Sequence, residues 1–448
     1  MASPSLTTGP LPGHIRRIAL PMSIGFFFNT MYNVVDSFYA GRISTEALAA
    51  MALSFPVFFI IIAISGGLSR GASALIANAI GAKNKEEEST LSGQVFSLAI
   101  LSAICVSIAG LSAATPLFQI LGASGDYLQL AKDYTSPLFI GAIFFLLNSM
   151  SNAILLAHGD SRTYSRTLVI GFLLNLILDP WFLYGGFGLP AMGIKGIAWA
   201  TVLIQGLGAI YLLSVVVHRG HITRSCAEHL IPKIKIYRQI LHQGIPTSFN
   251  LMSIALGFFV ITYFLKFYGE ASVAAFGVGT RIEQMALLPA IGLSSAIVSI
   301  VGQNNGAGET DRVRECVHLC FKYGLYLIIT ASILLLAFAT PLVRLFTNDP
   351  EVIQVGTKYV RIVAFIQWSY VSGFVYIGFL QALKRPMYGF IESFTRKIIL
   401  PGIIFPLAVH YFSVGLEGFW ISMCAINAFM AIITISYGQH VLKKLHCT

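Results

Sequence analysis

Twelve long apolar runs, nearly free of charge and several of them longer than twenty residues, decide what this chain can fold into. A run of that length crosses the roughly 30 Å hydrocarbon core of a bilayer as an α-helix. In lipid every backbone N–H and C=O has to find a partner within the structure, which leaves only helices or a closed barrel. Barrel strands would alternate apolar and polar residues over segments of about ten, whereas these runs are continuous and rich in Gly, Ala, Leu and Ile. A soluble domain carries about a quarter charged residues. Here 11% of 448 residues are charged and 56% hydrophobic, and mean hydropathy is +0.76, too few charges to clothe a water-facing surface. The expectation is an all-α membrane protein with twelve transmembrane helices.

The spans fall near 15–40, 46–79, 92–115, 132–157, 163–184, 193–217, 239–267, 273–303, 317–339, 357–381, 387–411 and 417–440. The apolar run after Arg16 and Arg17 is too long for a signal-peptide core and is expected to be the first span. Charge placement sets the orientation. With the N-terminus inside, twenty of the 29 Lys and Arg fall in cytoplasmic loops and ends, seven fall on the opposite side, and Arg70 and Arg281 lie within spans. The positive-inside rule then puts both termini in the cytoplasm of a multi-pass protein of the cell (inner) membrane. The longest linker, 218–238, is basic and separates residues 1–217 from 239–448, which are expected to form two six-helix lobes.

Those halves repeat. Ala114-Thr115-Pro116-Leu117 recurs as Ala339-Thr340-Pro341-Leu342, 225 residues later, and the same offset relates Pro21 to Pro246, Gly81-Ala82 to Gly306-Ala307 and Tyr134 to Tyr359. Near the end it becomes 222, aligning Gly193-x-x-Gly196 with Gly415-x-x-Gly418. Six helices per copy gives both copies one membrane orientation and a pseudo-twofold axis along the membrane normal, a plan common in transporters.

Net charge is +10, but it sits in short loops with no basic stripe, so nucleic acid is not an expected partner. The six cysteines include no CxxC pair, and Cys316 and Cys320, one turn apart, read as small apolar residues. His218, His221, Cys226 and His229 match no zinc spacing and read as part of the basic linker. No P-loop, HExxH or G-x-S-x-G occurs, so enzyme activity and ATP-driven pumping are not expected, and no cofactor is implied beyond a coupling H⁺ or Na⁺.

Acidic side chains inside spans carry the functional signal, since each costs roughly 2.5–3.5 kcal/mol to place there. Two stand clearly inside: Asp36 in the first span and Asp179 in the fifth. A rise of about 1.5 Å per residue places each roughly 8–9 Å below its outer helix end, with Thr201 of the sixth span at similar depth. Tyr32 stacks with Asp36 and Asn175 with Asp179 at i,i+4 spacing. Two carboxylates sharing a dry site repel, so together they hold a proton more tightly than one would alone. The same oxygens, with Asn and Thr, suit Na⁺. Asn29 and Asn152 lie deeper and could line a cavity. Pro21, fifteen residues before Asp36, is a candidate bending point because proline removes a helix hydrogen bond. Arg281 and Glu283 are placed near the outer end of the eighth span and Arg70 near the inner end of the second, where snorkelling explains them.

The Pro21–Asp36 helix, Gly67-Leu68-Ser69-Arg70-Gly71 leading to Gly81-Ala82, the Asn175–Asp179-Pro180 segment and the twofold repeat together resemble the multidrug and toxic compound extrusion family, in particular its DinF-like branch. The resemblance covers nearly the whole chain. It implies two six-helix bundles around a central cavity, exporting organic cations and amphipathic drugs in exchange for H⁺ or Na⁺; the chain is expected to act as a monomer in the bilayer. It also implies a cation site at Asp36, Asn175, Asp179 and Thr201 with Tyr32 beside it, cavity positions at Asn29 and Asn152, and bending at Pro21. The NorM-like branch carries carboxylates in its seventh and tenth helices; spans 239–267 and 357–381 hold none deep in the membrane, so coupling through the second lobe is not expected. The runner-up is a flippase for lipid-linked oligosaccharides or precursors, which would need a basic cavity that only Arg70 and Arg281 could supply.

Overall fold

The computed structural model describes residues 5–221 and 230–445; Arg224, Cys226, His229 and Cys447 lie outside them. Twelve helical spans follow one another: α1 (Leu11–Ile43), α2 (Thr45–Gly81), α3 (Lys85–Ile120), α4 (Gly125–Ile140 and Ala142–Ala157), α5 (Arg162–Tyr184), α6 (Ile194–His218), α7 (Ile234–Tyr268), α8 (Glu270–Gly306), α9 (Thr310–Arg344), α10 (Pro350–Ala364 and Gln367–Ala382), α11 (387–411) and α12 (Leu416–Lys444). Nine are long and apolar enough by themselves to cross a bilayer; α4 and α10 are bent by 48° and 53° at short breaks. The remaining run, α11, is interrupted by π-helical turns at Thr395–Ile399 and Leu407–Tyr411. At about 1.5 Å per residue it is still long enough to span.

Short polar stops separate the spans because a helix end leaves N–H groups that need a partner. The Ser44 hydroxyl accepts from Ala47 N at 3.0 Å, Asn84 Oδ1 from Glu87 N at 3.1 Å and Asp349 Oδ1 from Glu351 N at 2.9 Å, capping α2, α3 and α10.

The chain packs into two compact units, one built on Ile24–Ser248 and the other on Leu6–Ser23 with Phe249–Thr448. The change-over falls inside helices rather than in the 218–238 linker: α1 leaves the second unit two residues after Pro21, and α7 leaves the first two residues after Pro246. Within the first unit the core runs through Leu68, Ile76, Val95, Phe118, Phe139, Leu146 and Ile197. Within the second, an aromatic cluster of Phe276, Tyr359, Phe405, Phe419 and Trp420 fills the interior, with the Tyr359 and Trp420 ring centroids 4.6 Å apart.

The repeat is visible as one contact made twice. In the first unit the opening half of α7 crosses α2 so closely that a Cβ on Gly67 would sit 2.4 Å from Ser248 N. In the second, the opening half of α1 crosses α8 so that a Cβ on Gly292 would sit 2.5 Å from Ala19 O and 2.2 Å from Ser23 Oγ. Gly67 and Gly292, like Ser23 and Ser248, are 225 residues apart. The start of α1 is further held in its unit by Leu6, whose N–H donates to Gln303 Oε1 at 3.1 Å and whose carbonyl accepts from Asn304 Nδ2 at 3.1 Å.

Because Gly67 meets backbone, a side chain there has nowhere to go. Gly67→Val is expected to cost about 1–3 kcal/mol of packing, read as a melting temperature several degrees lower for the detergent-purified protein. Gly277→Ala, at a position with no neighbour within 4 Å, should leave it unchanged.

Candidate cation-binding site

Three helices of the first unit bring the intramembrane polar residues together. On α1, Tyr32 and Asp36 share a face at i,i+4; on α5, Asn175 and Asp179 do the same; α6 supplies Thr201. All five are buried, Asn175 and Asp179 completely and Asp36 at 4% exposure. Asn175 Nδ2 donates to Asp36 Oδ1 at 2.8 Å, and the Tyr32 hydroxyl donates to Thr201 Oγ1 at 3.0 Å. The Asp36 and Asp179 carboxyls lie within interaction range of each other.

What the pocket lacks defines it. No donor among the described residues makes a well-formed hydrogen bond to either oxygen of Asp179 or to Asn175 Oδ1, although the Asp179 carboxyl lies close enough to Asp36 and Asn175 to interact with both. Buried polar atoms are almost always paired, so these acceptors beside a second carboxylate make an arrangement rich in lone pairs and poor in donors. Leaving a carboxylate unpaired in a dry interior is expensive. A small cation relieves that cost, and an anion or a further acceptor does not. The donor set is all oxygen from these residues, which suits a hard cation or a proton.

Close helix approach holds the pocket shut. A Cβ on Gly25 of α1 would sit 3.0 Å from Ser165 Cα of α5, and one on Gly196 of α6 would sit 2.4 Å from Phe182 O of α5. The turn between α5 and α6 begins at Gly185, which takes φ +78° and whose Cβ would meet Ala191 N at 2.7 Å. Pro180, directly after Asp179, lies inside α5 and cannot donate to the carbonyl one turn earlier. The stretch carrying Asp179 is thus less rigidly bonded than the rest of its helix.

Other candidate residues stand apart from this group. Pro21 lies inside an uninterrupted α1, in the portion that packs with the second unit. Asn29 is exposed and its carbonyl accepts from Asn33 Nδ2 at 2.8 Å. Asn152 is buried on α4, with its Oδ1 unpartnered. Two placements differ from the sequence expectation. Glu283 is not near an outer helix end: it lies thirteen residues into α8, about 20 Å along the axis, is 7% exposed and accepts a hydrogen bond from the Tyr359 hydroxyl. The 273–303 span was taken too short at its start, and the Tyr at the repeat-equivalent of Tyr134 was the available clue. Arg396, which counts among the twenty cytoplasmic charges although the 387–411 span contains it, sits within α11, buried, with Nε 3.1 Å from Glu392 Oε1. An i,i+4 Glu–Arg pair can be carried into a span as a neutral unit. Unlike Asp179, both of these acids have partners.

The comparisons with known proteins agree with the repeat. The MatE family profile matches residues 21–181 and, a second time, residues 246–405. The chain belongs to the MatE family. It is similar to the probable multidrug resistance protein NorM of Thermotoga maritima, with 28% identity over 431 residues that cover 94% of this chain and 90% of that one. It is equally similar to a protein named FAD transporter from Shewanella oneidensis, 28% identical over 445 residues and covering 99% of this chain and 98% of that one. Among solved structures, an outward-facing conformation of a multidrug resistance MATE family transporter superposes with a TM-score of 0.91 at 27% identity, covering 99% and 98% of the two chains. MatE proteins are membrane transporters and not enzymes, and so is this chain.

Asn175 supplies the hydrogen bond that the buried Asp36 carboxylate receives. Asn175→Leu should strand that group and cost about 1–3 kcal/mol, lowering the melting temperature in detergent by several degrees. Adding Asp36→Leu to the same chain should recover part of the loss, because removing both partners of a buried pair is cheaper than removing one. Additive losses in the double variant would mean the two side chains do not act on each other.

Proposed function

We propose that this chain is a cation-coupled antiporter that exports organic cations and amphipathic drugs by alternating access, with H⁺ or Na⁺ taken up at Asp36, Asn175, Asp179 and Thr201. The observation that carries this reading is the buried cluster in which acceptor oxygens outnumber donors. A site of that kind is stable when a cation fills it and strained when it is empty. That difference is what a transporter needs to make a helix move with ion occupancy.

The elements around the site supply a route for the movement. Asp36 and Tyr32 ride on α1, and Asn175 and Asp179 on α5 with Pro180 at its weakened turn. The change-over of α1 between units comes two residues after Pro21, which supports that proline as the point where the helix bends. Filling the pocket draws α1 and α5 together; emptying it lets the two carboxylates push them apart. Cargo and cation then compete for one conformation of the first unit. The absence of acidic residues in α7 and beyond Glu351 in α10 fits the DinF-like branch and supports coupling in the first unit. Both termini are taken as cytoplasmic from the Lys and Arg distribution, and the chain as a monomer in the cell membrane.

A flavin nucleotide is the second cargo class to weigh, because the FAD transporter of Shewanella oneidensis matches this chain nearly end to end. Both readings share the cation site and differ in the charge of the cargo.

Purified protein in liposomes, given a proton gradient or a sodium gradient one at a time, separates these possibilities. Tetraphenylphosphonium movement under one of the two gradients, lost more than tenfold in Asp36→Asn at equal insertion, is the expected result. Full export by Asp36→Asn would reject the coupling site. Movement of FAD but not of tetraphenylphosphonium would keep the site and replace the cargo.

A further inference from the structure

The inner end of the first unit holds a second cluster, separate from the acidic pocket. Glu88 opens α3, His158 follows the end of α4, and His221 lies three residues past the end of α6. One ligating atom from each lies within 4.8 Å of the other two. His158 Nε2 is 2.9 Å from Glu88 Oε1, and the His158 and His221 ring centroids are 3.8 Å apart with the planes tilted by 37°.

The hydrogen bonds around these rings leave nitrogen lone pairs facing inward. His158 Nδ1 is 2.8 Å from the Ile154 carbonyl oxygen, an atom that can only accept, so Nδ1 carries the proton. In the neutral ring Nε2 is then bare and points at a carboxylate. That contact is repulsive unless a cation lies between them, either a second proton or a metal ion. A ligating histidine usually donates its other ring N–H to a backbone carbonyl in this way, which fixes tautomer and orientation. His221 Nε2 is buried and has no partner among the described residues. Its bare Nε2 therefore offers a lone pair to a ligand. Next to the cluster Arg219 is neutralised by its ion pair with Asp160.

We infer that Glu88, His158 and His221 form a binding site for a divalent transition-metal ion of the Zn²⁺ class at the inner end of this unit. Two imidazoles and one carboxylate are a common zinc donor set, with a fourth position left for water. Imidazole nitrogen favours Zn²⁺, Cu²⁺ or Ni²⁺ over Mg²⁺ or Ca²⁺. With metal–ligand bonds of about 2.0–2.1 Å, tetrahedral ligand atoms lie about 3.4 Å apart. The His158–Glu88 contact of 2.9 Å would open by about half an ångström to reach that spacing, and the other ligand atoms already lie within 4.8 Å. The site is half-buried, so an ion can enter from water. Once bound it would tie the start of α3, the turn between α4 and α5, and the chain leaving α6 to one point. None of this depends on the acidic pocket, whose residues lie on the outward part of α1, α5 and α6.

The test uses the full-length protein in detergent, stripped with a chelator and dialysed against buffered Zn²⁺. One Zn²⁺ per chain is expected, and Glu88→Gln, His158→Gln and His221→Gln should each weaken binding at least tenfold. His318→Gln, on exposed α9, should bind as the unaltered chain does. Gel filtration shows whether each variant is folded. Co²⁺ added to the unaltered protein supplies a readout that needs no variant: the visible absorption of a tetrahedral nitrogen–oxygen site, abolished by excess Zn²⁺. Binding equal in the unaltered and His158→Gln/His221→Gln chains, or no Co²⁺ absorption, would overturn the proposal and leave a His158–Glu88 ion pair in its place.

Discussion

Two carboxylates buried beside each other, one of them without a well-formed donor among the described residues, are the constraint around which the first unit is arranged. Nothing in the packing of α1, α5 and α6 requires them. Serine or asparagine at 36 and 179 would join the same helices at lower cost in lipid. The chain instead keeps Asp36, gives it one amide donor from Asn175, and leaves Asp179 bare. The second unit shows the contrast. Its buried acids are satisfied locally, Glu283 by Tyr359 and Glu392 by Arg396. An acid with a permanent partner stabilises a packed interior, whereas an acid without one is a vacancy for a positive charge.

The repeat explains how such a pocket can be connected to larger motion. The same glycine-to-serine crossing occurs as Gly67 with Ser248 in one unit and as Gly292 with Ser23 in the other, and each lies just after a proline inside a long helix. Each crossing holds the opening half of α1 or α7 in one unit while the rest of the helix belongs to the other. The acidic cluster on α1 lies in the first unit, while the start of the same continuous helix is grouped with the second. Lost hydrogen bonds at Pro21, before Asp36 on α1, and at Pro180, directly after Asp179 on α5, lower the cost of bending those helices.

Much of this could be read from residues alone, for reasons particular to membranes. Acids are so costly in lipid that Asp36 and Asp179 stand out in otherwise apolar runs, and fixed helical rise sets their depth without a structure. The i,i+4 spacing of Asn175 and Asp179 named the amide that the structure places on Asp36. Glu283 was harder, because its depth depends on where α8 starts and the helix begins at Glu270, outside the apolar run. Arg396 falls inside the 387–411 run yet counts as a cytoplasmic charge, because only the structure shows it buried beside Glu392. The Glu88, His158 and His221 cluster escaped because its residues come from three helix ends far apart in the chain. The linear run from His218 to His229 matches no zinc spacing and gives no hint of these partners. The exchange of helix halves between units leaves no mark in composition, which changes at loops and not at Ser23 or Ser248.

The infrared difference spectrum of the purified protein, recorded on exchanging low-pH for high-pH buffer and then on adding Na⁺, tests the central claim most directly, because carboxyl and carboxylate groups absorb at separate frequencies. A cation-dependent carboxyl signal that disappears in Asp179→Asn and shifts in Asn175→Leu is what a pocket of bare acceptors should give. A spectrum insensitive to both ions, or one unchanged by removing Asp179, would contradict it.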